Sequence, residues 1–364
     1  MAGKHQLLGA EVSYYTGKVR AYLRYKDIPF EEVLASREVY KNVIVPRTGV
    51  SYIPVLISDD DVAVQDTTDI IDFLEARYPD PSIYPQTPVQ RLVALLFEVY
   101  ADEWLVIPAM HYRWNYPENR AFAIREFGAL SAPQASPEEQ LAIGEKVAVP
   151  FAGALPPLGV TPNSAPAIEQ SYLGFLADFE AHLAEYPFLL GTRPSLGDFA
   201  LYGPLYAHLY RDPYSGRLMR ERAPRVAQWV ERMRDPQPRS GEFIGGDEVP
   251  VMLIPMLRRM FAEQGPVLLN TMRALDRWAA EHPGEKLPRA IGKHEYRIGD
   301  VTEERMIYPY NIWMWQRPYD YFHSLRGGDR GRAEMLLREA QGLETIEAPI
   351  PRRVKRENNR VVLA

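Results

Sequence analysis

The sequence predicts an α/β domain at the start of the chain, an all-helical domain after it, and a mixed α+β extension at the end. Three observations carry this. A strand–helix–strand pattern followed by strand–strand–helix fills residues 7–78. Helical stripes dominate residues 92–233, and proline-bearing breaks fall at 83–88 and 235–241. The expected domains are therefore 1–84, 88–238 and 242–364.

Residues 7–12 are apolar enough for a first strand, although Gly9 weakens it, and residues 13–17 form a turn. Lys18 opens a helix with Val19, Tyr22 and Leu23 on one face, and Asp27-Ile28-Pro29 ends it. Residues 30–33 make a second strand, whereas 38–49 are less regular. Residues 52–57 are β-branched and apolar, Ser58-Asp59-Asp60-Asp61 supply a turn, and 62–64 return as a hairpin arm. Asp66-Thr67 then stand where a helix begins. Ile70, Leu74 and Tyr78 follow at helical spacing, widened by Ile71 and Phe73, until Pro79 stops the element. This is the element order of a thioredoxin-like domain.

In the second domain Leu92, Leu95, Leu96 and Val99 form a helical stripe that continues through Trp104 and Leu105. Residues 131–164, rich in Pro, Ala and Gly, read as an irregular insertion or a cover, with one helix at 137–147. After an amphipathic stretch at 171–186, Ser195 and Asp198 have the spacing of a capping box, with Asp replacing the usual Glu. Val226, Trp229, Val230 and Met233 mark a further helix. The extension predicts helices at 251–262 and 267–280 and a hairpin centred on Gly299-Asp300. An aromatic band at 308–322 is read as a docking surface or an aromatic shelf, and the basic residues 352–356 as a solvated tail.

Composition narrows the function. The 25% charged share is ordinary for a globular chain, and a net charge of −6 gives no sign of a nucleic-acid partner. No run approaches the ~18–20 apolar residues of a membrane span, and the N-terminus lacks a signal-peptide core, so a cytoplasmic location is expected. The chain has no cysteine, which removes disulfides and thiolate metal sites, and no histidines stand at metal-ligand spacing, so no metal is expected.

Two motifs carry chemistry. A cis bond before Pro54 would turn the backbone N–H and C=O of Ile53 outward, to pair with a peptide-like ligand as an added strand would. A helix opening at Asp66-Thr67 offers unpaired N–H groups to a carboxylate, and Asp66 can take an ammonium group. Their blander roles are a strand edge and an ordinary N-cap.

Ile53-Pro54-Val55-Leu56 and Asp66-Thr67-Thr68-Asp69-Ile70 resemble the two glutathione-binding segments of the glutathione transferase superfamily. Phe188-Leu189-Leu190-Gly191 and Ser195-Leu196-Gly197-Asp198 resemble a turn and helix start of that family's helical domain. The resemblance implies glutathione as co-substrate, bound by Ile53, Pro54, Asp66, Thr67 and Lys41. The segment from Ser13 to Arg20 is similar to the family's active-site turn and implies Ser13 as the hydroxyl that stabilises the glutathione thiolate. Tyr14 replaces the family's frequent proline, and the lack of cysteine excludes the cysteine-using branch. Tyr14, Tyr15, Tyr100, Trp104 and His111 are the implied walls of a pocket for a small hydrophobic electrophile, and a homodimer is implied. The alternative is a transferase-like binding or interaction protein without turnover. The resemblance does not extend over the last ~120 residues, a length within the usual ~100–200 of one domain.

Overall fold

The computed structural model describes residues 4–364, and the backbone gathers into two units. One comprises the chain up to Ile83 with residues 109–154 and 198–241; the other comprises residues 84–108, 155–197 and 242–364.

The first unit opens with β1 (His5–Gly9), α1 (Tyr14–Tyr25) and β2 (Phe30–Leu34). A short run follows, consisting of α2 (Arg37–Val39), a π-helical turn at Tyr40–Ile44 and α3 (Val45–Thr48). Then come β3 (Val55–Ile57), β4 (Ala63–Gln65) and α4 (Thr67–Arg77). The sheet order is β2-β1-β3-β4, with β1 and β2 parallel and the other pairs antiparallel. This is the thioredoxin-like arrangement that the pattern predicts. Leu8, Ile44, Val55 and Ile57 form one buried cluster of the sheet, and α1 and α4 bury Val19, Leu23, Ile70, Ile71 and Leu74. Burying these side chains is the main favourable term, at roughly 1.5–3 kcal/mol each. The α1–α4 contact is closed by Glu75, which accepts from the Tyr22 hydroxyl at 2.9 Å and from Lys26 Nζ at 2.7 Å.

The remaining helices are α5 (Pro88–Glu103), α6 (Val106–Asn115), α7 (Pro117–Ser131), α8 (Pro137–Ala152), α9 (Ala165–His182), α10 (Leu196–Ala207), α11 (Pro213–Arg222) and α12 (Pro224–Arg234). Residues 131–164 are more regular than their composition suggests. Ser136 and Glu139 make a full capping box for α8, which runs the length of a normal helix in spite of Pro150.

The extension holds α13 (Ile254–Glu281), β5 (Lys293–Ile298), β6 (Val301–Met306), α14 (Tyr310–Ser324), α15 (Gly327–Glu339), α16 (Leu343–Glu347), β7 (Val354–Glu357) and β8 (Arg360–Leu363). The two helices expected at 251–280 are one continuous α13 that includes Pro266. Met260, Phe261, Val267, Leu268 and Leu275 keep a single buried stripe across the proline, and that burial outweighs the lost hydrogen bond. Arg352, Arg353 and Lys355 of the basic tail are exposed, as expected of a solvated end, but from Val354 the tail forms the β7–β8 hairpin, whose turn is Asn358-Asn359 with φ of 51° and 59°. In the aromatic band, Trp315 and Phe322 are fully buried, as a docking surface requires.

Candidate functional site

The sheet register gathers the candidate residues. Val33 pairs with Leu8, Leu8 with Val55, and Val55 with Gln65, so these four form one row across the sheet. Immediately beyond that row lie the loop leading to Ser13, the Ile53-Pro54 pair and the Asp66-Thr67 helix start, whereas the turn that carries Lys41 packs Val39, Tyr40, Val43 and Ile44 against the sheet's buried cluster. Three sequence-distant segments thus share one end of the sheet.

Ser13 is the N-cap of α1. The helix starts four residues earlier than Lys18 because Ser13 Oγ accepts from Thr16 N at 3.3 Å, so residues 14–17 belong to the helix and not to a turn. A hydroxyl that accepts at its lone pair still has a hydrogen to donate. No acidic residue stands in the first turn of α1, so the positive end of the helix dipole is not cancelled there.

The loop before Ser13 is fixed by groups that sequence reasoning did not single out. Arg113 Nη1 donates to the Val12 carbonyl at 3.2 Å. The same guanidinium is held by Asp212 through two bonds of 2.8 and 2.7 Å, with both side chains almost wholly buried. Burial pushes the Asp212 carboxyl up, against the opposing pull of Arg113. His208, in contact with Arg113 Nη1 at 3.1 Å, is driven well below its usual range by burial and by the charges of Arg113 and Arg211. Glu11 accepts from the Tyr206 hydroxyl and pairs with Arg20 at 2.9 Å. Burial alone would raise Glu11, but Arg20, the Tyr206 hydroxyl, Arg211 and Arg234 together bring it below the ordinary carboxylate range. Nothing in the spacing of Arg113 and Asp212, 99 residues apart, signals their pairing.

The Ile53-Pro54 bond is cis. Ile53 makes no backbone hydrogen bond with any described residue, so its N–H and C=O remain unspent. Asp66 has a φ of 89° and caps α4 through a 3.0 Å bond from Thr68 N. Thr67 is buried at the first position of the helix. Lys41 is exposed on the π-helical turn, while Arg47 is engaged by Asp61 at 2.6 Å.

The aromatic candidates are distributed differently. Tyr14 is 5% exposed, with its ring 4.5 Å from Tyr15 and 5.8 Å from His208, and Tyr15 is half-buried. His111 is buried and meets Asn115 Nδ2 at 2.9 Å through Nδ1. Tyr100 and Trp104 belong to the second unit, where they line an apolar cavity with Pro108, Ile168, Phe175 and Ile298. Trp104 Nε1 donates to Glu263 at 2.8 Å, and complete burial raises the Tyr100 hydroxyl well above its ordinary range.

The family model described as "Glutathione S-transferase, N-terminal domain" matches residues 7–82, and "Glutathione S-transferase, C-terminal domain" matches residues 162–232. Two segments of the chain are thus similar to the two domains of glutathione S-transferases.

Solved structures of glutathione S-transferases and of a beta-etherase are similar to part of this chain at low identity. One from Rhodospirillum rubrum F11 is 17% identical, with a TM-score of 0.42, over 68% of this chain and 96% of its own. One from Methylobacterium radiotolerans, solved with glutathione sulfonate, is 22% identical, with a TM-score of 0.40, over 65% and 92%. The beta-etherase LigF from a Sphingobium species is 20% identical, with a TM-score of 0.48, over 66% and 97%. A comparison with curated protein sequences found no match. Among the described residues there is no cluster of three or more His, Asp or Glu side chains able to hold a metal ion. No described helix is long and apolar enough to cross a membrane.

Proposed function

We propose that this chain is a glutathione transferase that binds glutathione at the shared end of its four-stranded sheet and directs the thiol to Ser13. The register row Val33–Leu8–Val55–Gln65 is the observation that carries this reading, because it brings the Ser13 cap, Ile53 and Asp66 to one edge. The donor set fits the ligand. The unspent backbone of Ile53 suits a peptide, the start of α4 suits a carboxylate, and Asp66 suits an ammonium group. Ser13 would donate its hydroxyl hydrogen to the sulfur, which favours thiolate over thiol, and the α1 dipole adds to this. Arg113, through Val12, would hold that hydroxyl in position. The same reading has the chain acting in the cytoplasm as a homodimer on a hydrophobic electrophile, with Lys41 near the ligand's second carboxylate.

Calorimetric titration with glutathione checks the binding site. The expected result is micromolar-to-millimolar affinity in the wild type, lost in the Asp66→Ala, Thr67→Ala double variant. Ser13→Ala should keep glutathione affinity while slowing conjugation about 10- to 100-fold, the worth of one hydrogen bond to a charged group. A second reading, a glutathione-binding protein without turnover, is favoured by one observation: Ser13 already has a structural task as the α1 cap. Binding of glutathione with no turnover across a panel of aryl halides, epoxides and enones would select it.

A further inference from the structure

The β5–β6 hairpin turns one face inward. Its register sets His294 opposite Arg305, Tyr296 opposite Glu303 and Ile298 opposite Val301, and the strand alternation places all six side chains on that face. Part of the face is tied down. The Tyr296 hydroxyl donates to the Gly159 carbonyl at 2.6 Å, and Glu303 accepts from Thr161 at 2.8 Å and from Asn163 at 2.9 Å.

Arg305 is not tied down. It is 2% exposed, yet its side chain makes no hydrogen bond or ion pair with any described residue, its Nε and Nη1 are fully enclosed, and the Glu103 carboxylate acts on it only at longer range. Trp104 and Tyr296 flank the guanidinium at 5.2 and 5.7 Å. Their ring faces attract the cation but give its N–H donors no oxygen acceptor. Directly across the register, both ring nitrogens of His294 are also enclosed without a partner. A buried guanidinium is normally paired with a carboxylate, because an uncompensated charge there is costly.

We propose that Arg305 and His294 form a binding site for the carboxylate of a small organic acid. The guanidinium supplies the charge and several donors. His294 supplies one more N–H without adding charge, since burial and the neighbouring Arg305 lower its pKa to about 4. The Trp104 ring that flanks Arg305 also lines the small apolar cavity.

Calorimetric titration of the full chain with benzoate and with its neutral isostere benzamide tests this. The expected result is benzoate binding at least about tenfold tighter, with Arg305→Met removing the difference and Arg305→Lys keeping part of it. Without ligand, the denaturation midpoint of Arg305→Met should equal or exceed that of the wild type, because methionine removes an unpaired buried charge. A lowered midpoint would make the guanidinium a packing anchor for Trp104 and Tyr296 and overturn the proposal. Equal or absent binding of the two probes would also overturn it, as would phosphate binding as tightly as benzoate. Glutathione affinity should not change in Arg305→Met; if the wild type binds no glutathione, that reading falls without touching this one.

Discussion

At the scale of single residues, buried polar groups decide how the chain responds to pH. His182 is fully buried, its Nε2 lies 3.0 Å from the Phe188 carbonyl, and its Nδ1 has no partner. Burial lowers its pKa from 6.5 to about 4. The unfolded chain therefore binds this proton more tightly than the folded one. Stability from this group is complete above pH 6.5 and is lost as pH falls through about 4. Across that window the loss approaches roughly 3 kcal/mol. Chemical denaturation at a series of pH values should show the midpoint falling on the acid side, with His182→Gln flattening part of the slope; an unchanged slope would assign it to other groups. The cis-prone Ile53-Pro54 pair and the helix start at Asp66 could be read from local X-Pro and N-cap signals, whereas Ser13 was singled out only by the resemblance of its turn to the family's. Arg113, which holds the Val12 carbonyl, was not legible, because its anchor Asp212 is brought to it only by tertiary packing.

At the scale of elements, α7 and α8 approach so closely that they need glycine. A Cβ on Gly128 would stand 2.0 Å from the Gln140 carbonyl oxygen, and one on Gly144 would stand 2.0 Å from the Ile124 carbonyl oxygen. Both obstacles are backbone and cannot move aside alone. Gly144→Ala is therefore expected to destabilise by on the order of 1–3 kcal/mol, the typical cost of overpacking, despite the ~1 kcal/mol by which alanine favours a helix interior. Gly331 in α15 meets nothing within 4 Å, so Gly331→Ala should be neutral or stabilising. Urea denaturation of the two variants checks both signs. The same contact explains why residues 131–164 were hard to read. Small residues signal a loop to a propensity argument, but here Gly144 is the surface on which two helices meet. The α/β order of the first 80 positions was easy to read, since strand alternation and helix starts are local signals. Pro266 misled in the opposite direction: a break in local propensity was overridden by the stripe that α13 buries on both sides of it.

At the scale of the whole chain, the extension completes the second unit. Asp247 accepts from Val89 N at 2.9 Å and from Gln90 N at 3.0 Å, so it caps α5 from far along the sequence. Arg317 of α14 pairs with the fully buried Glu98 of α5 at 3.2 Å and donates to the Tyr84 hydroxyl at 2.9 Å. A chain cut after Gly241 would expose the apolar face of α5 and remove the cation that pairs with Glu98. Such a truncation should bind a hydrophobic dye and lose cooperative unfolding; a soluble product with a sharp thermal transition would show the extension to be dispensable. The sequence showed that an extension exists, with its hairpin at Gly299-Asp300, but not how it docks, because a cap supplied 158 residues away leaves no local trace. That distance bears on synthesis. While the chain emerges from the ribosome, the first turn of α5 has no Asp247 to cap it until most of the protein has been made. The second unit therefore matures late, and chaperones have a long interval in which to meet its uncovered helices.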